Sequence, residues 1–362
     1  RASFHVNEWD AYQRANDQFA QVTAGAIGPR DLVIVNDYQL MLTPSRLRRL
    51  APSASIAFFL HIPFPPYDVF RVLPWARQLL RGVLACDLVG FHVQGYARNF
   101  LDCVHRLVGD KVDRRRGRSE VQHGNHTVRV VALPLGIDYA HYEELARGAA
   151  SAGFAPQERV VLGVDRLDYT KGLPQRLRAF ARLLELHAEH RQRTTLIQLA
   201  VPSRSEVTEY RELKREIDEL VGRINGRFAS ANWTPIRYLY RSMPPDKLAA
   251  LYRDADVGLV TPIRDGMNLV AKEYVACQVN DPGVLVLSHM AGAAETMSEA
   301  LLANPYNIDD TATKLHQALT MPLPERHSRM KALRLREAKH DVHGWAQKLI
   351  QRLTAAAKDN QR

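Results

Sequence analysis

Apolar residues along this chain fall into two patterns. Short continuous apolar runs alternate with longer stretches in which apolar residues recur every three or four positions. The short runs read as strands buried on both faces, and the longer stretches as amphipathic helices. Strands are predicted at Asp31–Val35, Ser55–Leu60, Asp87–Phe91, Thr127–Leu133, Arg159–Val164, Thr194–Ala200, Ile236–Leu239, Asp256–Pro262 and Gly283–Ser288. The first helix, Asn7 to about Ala26, carries Trp9, Tyr12, Phe19 and Val22 on or near one face. Further helices are predicted over Leu40–Leu50, on to about Leu84, then Tyr96–Val108, Leu173–His187, Glu206–Ile224, Pro245–Asp254, Leu269–Gln278, Asp309–Ala318 and Pro324 to about Ala357. Ala291-Gly-Ala-Ala294 opens a small-residue turn into another helix, and Lys111–Val131 is a polar excursion with a β-like end.

The alternation runs through the chain twice. Pro134-Leu-Gly-Ile-Asp138 separates the two passes and reads as an interdomain turn. The class is α/β, with two doubly wound domains whose ligands would sit at the carboxyl ends of the strands. The expected division is 1–135, 136–335, and a last helical segment, 336–362, with Lys358–Arg362 frayed.

Composition narrows this further. At 362 residues, 46% hydrophobic and 24% charged, the chain is of ordinary globular type. No apolar run approaches the ~20 residues of a membrane helix, and the start has no apolar signal-peptide core. The first residue is Arg1 rather than Met, so the chain reads as a fragment or a processed product. The net charge of +10 is spread along the sequence. Its one dense run, Arg114-Arg115-Arg116-Gly-Arg118, reads as a solvated loop, and no interleaving of basic and aromatic residues points to nucleic acid. Small anionic substrates suit this balance. Cys86, Cys103 and Cys277 have neither metal-ligand nor redox spacing, which fits a reducing, cytoplasmic setting.

The candidate chemistry clusters where strands end. In Arg264-Asp-Gly-Met-Asn-Leu-Val-Ala-Lys-Glu-Tyr, a strand passes through a turn into a helix. Asp265 in the turn could accept sugar hydroxyls, Glu273 further along could accept ribose hydroxyls, and the N–H groups near Met267 to Val270 could hold a phosphate. The same order of elements also suits a plain connection with a capping Asp and a surface Glu. Arg166 and Lys171, in one loop after a strand, suit a diphosphate, although Asp165 and Asp168 could equally be partners of a charged surface. His61 and Asp37 each end a strand, and Arg204 follows one with Ser203 or Ser205 as a helix cap. No Ser-His-Asp, Cys-His or metal-binding His pair stands out, so catalysis by positioning and charge stabilisation fits.

Taken together, Asp37-Tyr38, His61-Ile-Pro-Phe-Pro65, Gly90-Phe91 with Tyr96-Ala-Arg98, Arg166-Leu-Asp-Tyr-Thr-Lys-Gly-Leu-Pro174, Arg223-Ile-Asn-Gly226 with Trp233-Thr-Pro235, Asp265-Gly-Met-Asn-Leu-Val-Ala-Lys-Glu-Tyr274 and Gly283–Ala294 resemble the trehalose-6-phosphate synthase family of glycosyltransferases. The resemblance runs from about Trp9 to Trp345. It implies a GT-B fold of two Rossmann-like domains facing a cleft, with the N-terminal domain incomplete at its start. It also implies transfer of glucose from UDP-glucose to glucose 6-phosphate with retention, by a metal-independent front-face mechanism. No cofactor is implied beyond UDP-glucose as co-substrate. Partners compatible with the resemblance are a second copy of the chain and a trehalose-6-phosphate phosphatase; nucleic acid and membrane are not.

Carried over by position, Arg166 and Lys171 would hold the diphosphate. The donor stretch would run from Asp265 through Gly266, Met267, Asn268, Leu269, Val270, Ala271 and Lys272 to Glu273, with Asp265 on the glucose and Glu273 on the ribose. The backbone of Met243 would meet the uracil, and His61 the transferred glucose. Asp37 and Arg204 would hold the acceptor. The departures are Asn36 and Gln39, where the family usually has His, and Ser242, where it often has His. The family's Gly-rich loop and early Arg have no counterpart here. That leaves open a relative with another acceptor, such as glycerol 3-phosphate, and a non-catalytic chain that keeps a nucleotide-sugar site.

Overall fold

The buried apolar runs pair into two sheets, each within its own part of the chain. The computed structural model describes residues 3–115, 118–203, 206–279 and 283–360. The chain divides into two compact units, one of residues 1–135 with 344–362 and the other of residues 136–343. Among the described residues, no helix is long and apolar enough to cross a membrane.

In the first unit, β1 (Leu32–Asn36), β2 (Ser55–Leu60), β3 (Leu88–Phe91) and β6 (His126–Ala132) pair in parallel. The expected polar excursion is in fact two more strands, β4 (Lys111–Arg115) and β5 (Arg118–His123), added antiparallel to β6. Strand order is β1-β2-β3-β6-β5-β4. Each added strand has a single apolar residue, Val112 or Val121, turned to the core, and polar residues elsewhere, so neither shows an apolar run. The middle of the arginine run lies outside the described residues.

Phe58, Phe64, Phe91 and Phe100 fill the core of this unit. The first helix, Val6–Ala26, does not bury the face its pattern predicts. Phe19 and Val22 are exposed, whereas Asn16 is fully buried. The Asn16 Oδ1 accepts from Leu42 N (3.0 Å) and Thr43 N (2.9 Å), so it caps the helix Thr43–Leu50 from another helix. That hydrogen bonding outranks the apolar stripe in setting the rotation of the first helix. The stretch expected to be helical on to Leu84 is two helices, Tyr67–Phe70 and Ala76–Val83.

The second unit holds β7 (Arg159–Arg166), β8 (Thr194–Val201), β9 (Ile236–Tyr240), β10 (Val257–Val260), β11 (Val284–Ser288) and β12 (Leu301–Ala303), all parallel. Its order is β12-β11-β10-β7-β8-β9. The chain moves outward from β7 to β9, then returns to lay β10 against the free side of β7. The strand order therefore reverses between β7 and β10, and a crevice at such a switch point is where open α/β sheets bind ligands.

Three expectations change in this part of the chain. The turn after β11 leads only to a short 3₁₀ helix, Gly292–Glu295, and then to β12, a strand too short to read from sequence. The long helix from Pro324 is two helices, Leu323–Lys339 and Val342–Asn360. The break has a tertiary cause. The Val342 N–H donates to Ile137 O (2.9 Å), and a Cβ on Gly136 would lie 2.2 Å from His340 O. The predicted fraying of Lys358–Arg362 is also corrected. Residues up to Asn360 are helical, and Asn360 Nδ2 donates to Asp87 Oδ1 (2.9 Å) and Thr127 O (3.0 Å). Gln361 and Arg362 lie outside the described residues.

Candidate functional site

At the switch point, two loops lock together before any side chain is considered. After β7 the chain passes Asp168 and the 3₁₀ turn Tyr169–Lys171, then enters the helix Leu173–Leu186 through Gly172 at φ +67°. After β10 it passes Thr261 to Asn268 into the helix Leu269–Cys277. Ile263 N and Arg264 N both donate to Thr170 O, at 2.9 and 3.2 Å. Gly172 is required there twice over: its φ is left-handed, and a Cβ would lie 2.6 Å from Thr261 O.

This lock brings Lys171 and Asp265 together. Lys171 Nζ lies 2.5 Å from Asp265 Oδ2, with side chains only 16% and 14% exposed. Asn268 Nδ2 donates to the same oxygen at 3.0 Å. Asn268 is itself at φ +76°, and its Oδ1 accepts from Ala271 N (3.0 Å), capping the helix. The main chain of Asp265 is tied to the loop after β11, with Asp265 N donating to Met290 O (3.1 Å) and Gly292 N to Asp265 O (3.2 Å). A Cβ on Gly292 would lie 2.0 Å from Gly266 O, so the two loops touch through main chain.

Beneath the loops lies a charge that sequence reasoning did not find. Arg176 is fully buried and donates to Asp165, to Thr261 Oγ1 (3.1 Å) and to Gln198 Oε1 (3.0 Å). Asp165 is thus an interior partner of Arg176 and not a surface neighbour of Lys171. Burial pushes its carboxyl pKa up, against the pull of Arg176. Asp168 accepts from Thr170 N (2.9 Å) and from Tyr210 OH (3.1 Å), which shapes the turn that presents Lys171. A helical position carrying Arg inside an otherwise apolar pattern was the available signal for Arg176.

The remaining expected residues of this unit divide. Arg166, at the end of β7, is exposed and has no ion pair among the described residues. Leu269 and Val270 open the helix, where N–H groups have no intrahelical acceptor. Met267 is buried, and Met243 is half-buried between β9 and the helix Pro245–Asp254. Glu273 accepts from Tyr252 OH at 2.9 Å. Burial raises its pKa, and bonds from Tyr252 and Tyr142 draw it part of the way back. The side chain of Lys272 is turned inward to Glu337 (2.8 Å), and both are buried, while the Ala271 N–H is taken by the Asn268 cap. Arg204 lies outside the described residues. A cavity of about 470 Å³ at the opposite end of the strands is lined by Arg159, Asp256 and Arg326, whose charges pair among themselves.

In the first unit, β1 and β2 are neighbours, and their ends carry Asn36, Asp37 and His61. Asp37 adopts φ +69°, ψ 170°, a region that is essentially glycine's. It is held there from both sides: its N–H donates to Phe59 O (2.8 Å), and its Oδ1 accepts from His61 N (3.2 Å). The ring of His61 meets Asn36 Oδ1 through Nε2 at 2.9 Å and packs on Phe59 and His92 at 4.8 and 5.2 Å. Burial lowers the His61 pKa, and Asp37 opposes that. A concavity of about 390 Å³ beside it is lined by Ile34, Asn36, His61, Leu135, Trp345 and Ile350.

Comparison with known proteins gives this geometry its context. A family model, Glycosyltransferase family 20, matches residues 1–355. The chain is 42% identical over 356 residues to alpha,alpha-trehalose-phosphate synthase [UDP-forming] A of Dictyostelium discoideum, spanning 96% of this chain and 48% of that protein. It is 44% identical to the trehalose-6-phosphate synthase of Mycolicibacterium smegmatis, spanning 98% of this chain and 73% of that one. The chain thus spans about half the length of the first relative and about three quarters of the second. Among solved structures, an E. coli trehalose-6-phosphate protein bound with UDP-2-fluoro glucose superposes with a TM-score of 0.94 at 36% identity, covering 97% of this chain and 79% of that one. A Burkholderia xenovorans alpha,alpha-trehalose-phosphate synthase (UDP-forming) in complex with glucose-6-phosphate gives 0.92 at 37%, with the same coverage. Each of these likenesses extends over nearly all of the chain, and together with the two sheets they settle the assignment: the chain belongs to glycosyltransferase family 20 and has the GT-B fold.

Proposed function

We propose that this chain is a retaining glucosyltransferase that moves glucose from UDP-glucose to glucose 6-phosphate, giving α,α-trehalose 6-phosphate and UDP. The observation that carries the reading is the Lys171–Asp265 pair at the β7/β10 switch point. A simple anion could draw Lys171 away but would leave Asp265 facing a like charge. A sugar diphosphate satisfies both, with phosphate oxygens for the ammonium and sugar hydroxyls for the carboxylate. Names of relatives, and the ligands of the two solved structures, support the same donor and acceptor.

In this reading Arg166 and Lys171 take the charge that develops on the leaving diphosphate. Asp265, with Gly266, Met267 and Asn268, positions the glucose. The first-turn N–H groups at Leu269 and Val270 meet a phosphate. Glu273 accepts the ribose hydroxyls, and the main chain at Met243 meets the base. Ala271 and Lys272 would contribute by shaping the helix rather than through their side chains. His61 is assigned to the glucose, and Asp37 and Arg204 to the acceptor. On the front-face course, the bond from the anomeric carbon to the phosphate oxygen breaks on the face where the acceptor oxygen arrives. The departing phosphate takes the acceptor's proton, so configuration is retained. We place the activity in the cytoplasm, a reading supported by three buried, unpaired cysteines. The phosphate on the product is one that a trehalose-6-phosphate phosphatase would remove.

The test is release of UDP from UDP-glucose, with glucose 6-phosphate or glycerol 3-phosphate as acceptor. UDP release that depends on glucose 6-phosphate is expected. A folded protein that releases UDP only with glycerol 3-phosphate, or with neither acceptor, would overturn the proposal.

A further inference from the structure

Where the strands of the second unit begin, three imidazoles and a carboxylate converge. His187 follows the helix Leu173–Leu186, Glu189 and His190 lie in the 3₁₀ turn before β8, and His316 comes from the helix Ile308–Thr320. β8 runs for 8 residues, so this cluster lies about 25 Å from the Lys171 loop at the other end of the strands. His187 Nδ1 is 3.4 Å and His316 Nδ1 3.9 Å from Glu189 Oε1. The ligating atoms of His187, Glu189 and His316 all lie within 4.8 Å of one another. His190 Nε2 is 3.0 Å from His316 Nδ1.

We propose that His187, Glu189 and His316 form a binding site for a divalent transition-metal ion, zinc foremost, with His190 Nε2 within reach as a fourth ligand. Two imidazoles and one carboxylate make a donor set that zinc accepts. Bonds of 2.0–2.1 Å in a tetrahedron set ligand atoms about 3.3 Å apart. The His187–Glu189 distance of 3.4 Å and the His190–His316 distance of 3.0 Å are within about 0.3 Å of that value, and the His316–Glu189 distance of 3.9 Å is about 0.6 Å beyond it.

The rings of His187 and His316 now stack at 3.6 Å with planes 6° apart. An ion must lie in the plane of each imidazole that binds it, so one ring turns when the ion enters. Both residues are half-buried at the surface, which leaves room for that rotation. His190 is buried, and its Nδ1 is 3.5 Å from Thr194 Oγ1, an arrangement that fixes its ring and leaves Nε2 facing the cluster.

The ion would join the end of the helix that begins at the Lys171 loop to a helix more than a hundred residues later in sequence, as positions 187 and 316 show. Its role is therefore structural, and it is independent of the glycosyl transfer proposed above.

The experiment is calorimetric titration of untagged, chelator-stripped protein with zinc chloride, and separately with magnesium chloride, alongside thermal melts. One zinc per chain, a melting temperature raised by several degrees and no response to magnesium are expected. The variant Glu189→Gln changes an exposed side chain and should weaken zinc binding at least tenfold. The double variant His187→Gln/His316→Gln should abolish it, while circular dichroism and a cooperative melt of the same sample report that the fold is intact. No saturable zinc binding to the unaltered protein overturns the site. So does an affinity unchanged in Glu189→Gln or in a folded double variant.

Discussion

The two strand-end clusters hold their polar residues by different means. In the second unit, Lys171, Asp265 and Asn268 hold one another through side chains, over a buried Arg176–Asp165 pair. In the first unit, Asp37 and His61 are held mainly through the main chain, with Asp37 in a strained conformation and the His61 ring resting on aromatic neighbours. The second arrangement has its charges set before a ligand arrives, which is what stabilising a leaving diphosphate demands. The first presents one acceptor and one imidazole at fixed positions, which suits hydroxyl recognition. The contrast makes substitutions in the second cluster costly to stability and function together, and those in the first costly to function with little effect on stability.

The largest expected effect breaks the foundation of the second cluster. Asp165→Ala leaves the Arg176 guanidinium buried without its carboxylate and should destabilise this unit by about 3–5 kcal/mol, read from chemical denaturation. Equal stability of variant and wild type would mean that the pair is not what sets the loops. Next, Gly292→Ala drives a methyl into Gly266 O and should cost about 1–3 kcal/mol, with a fall in donor affinity because Asp265 moves.

In the first unit the comparison turns on strain. Asp37→Gly and Asp37→Ala both delete the carboxylate, yet the Gly variant should be more stable than the Ala variant by about 1 kcal/mol, because glycine adopts φ +69° there without the strain that a Cβ brings. Both should lose turnover. Equal stabilities would remove the strain from the account.

The smallest effect is a titration. The His61 pKa lies below its ordinary value of 6.5 because burial outweighs the pull of Asp37. The unfolded chain therefore takes up this proton first as pH falls. The contribution of His61 to stability is complete above 6.5 and is lost as pH drops through the lowered value. Asp37→Asn removes the opposing charge and should lower the pKa further, which an NMR titration of the imidazole detects. A rise in the variant would contradict the assigned cause.

How legible these regions were depended on what holds them. Strands buried on both faces, such as Arg159–Arg166 and Ser55–Leu60, announce themselves as apolar runs, and so did the loops that follow them. The Arg166, Lys171 and Asp265 positions followed from strand order and from the resemblance. Features that depend on contacts far apart in sequence did not show. Asn16 serves a helix 27 residues on and looks like any polar position on an amphipathic helix. The break at His340 has neither Gly nor Pro at the site, because its cause is the close approach to Gly136. The hairpin of β4 and β5 carries too little apolar surface to have a period. Lys272 stood in the sequence only as part of the donor stretch, and its inward turn did not show, because its partner Glu337 comes from a helix late in the chain.

In the proposed function, the Lys171–Asp265 pair is the seat of nucleotide-sugar binding. The most direct test is calorimetric titration of the chain with UDP-glucose, and then with UDP, in wild type and in Lys171→Ala. Saturable binding of both is expected in the wild type, with a loss of about 100-fold or more in the variant. Binding that survives Lys171→Ala unchanged, or no binding to a wild-type sample shown to be folded, would contradict it.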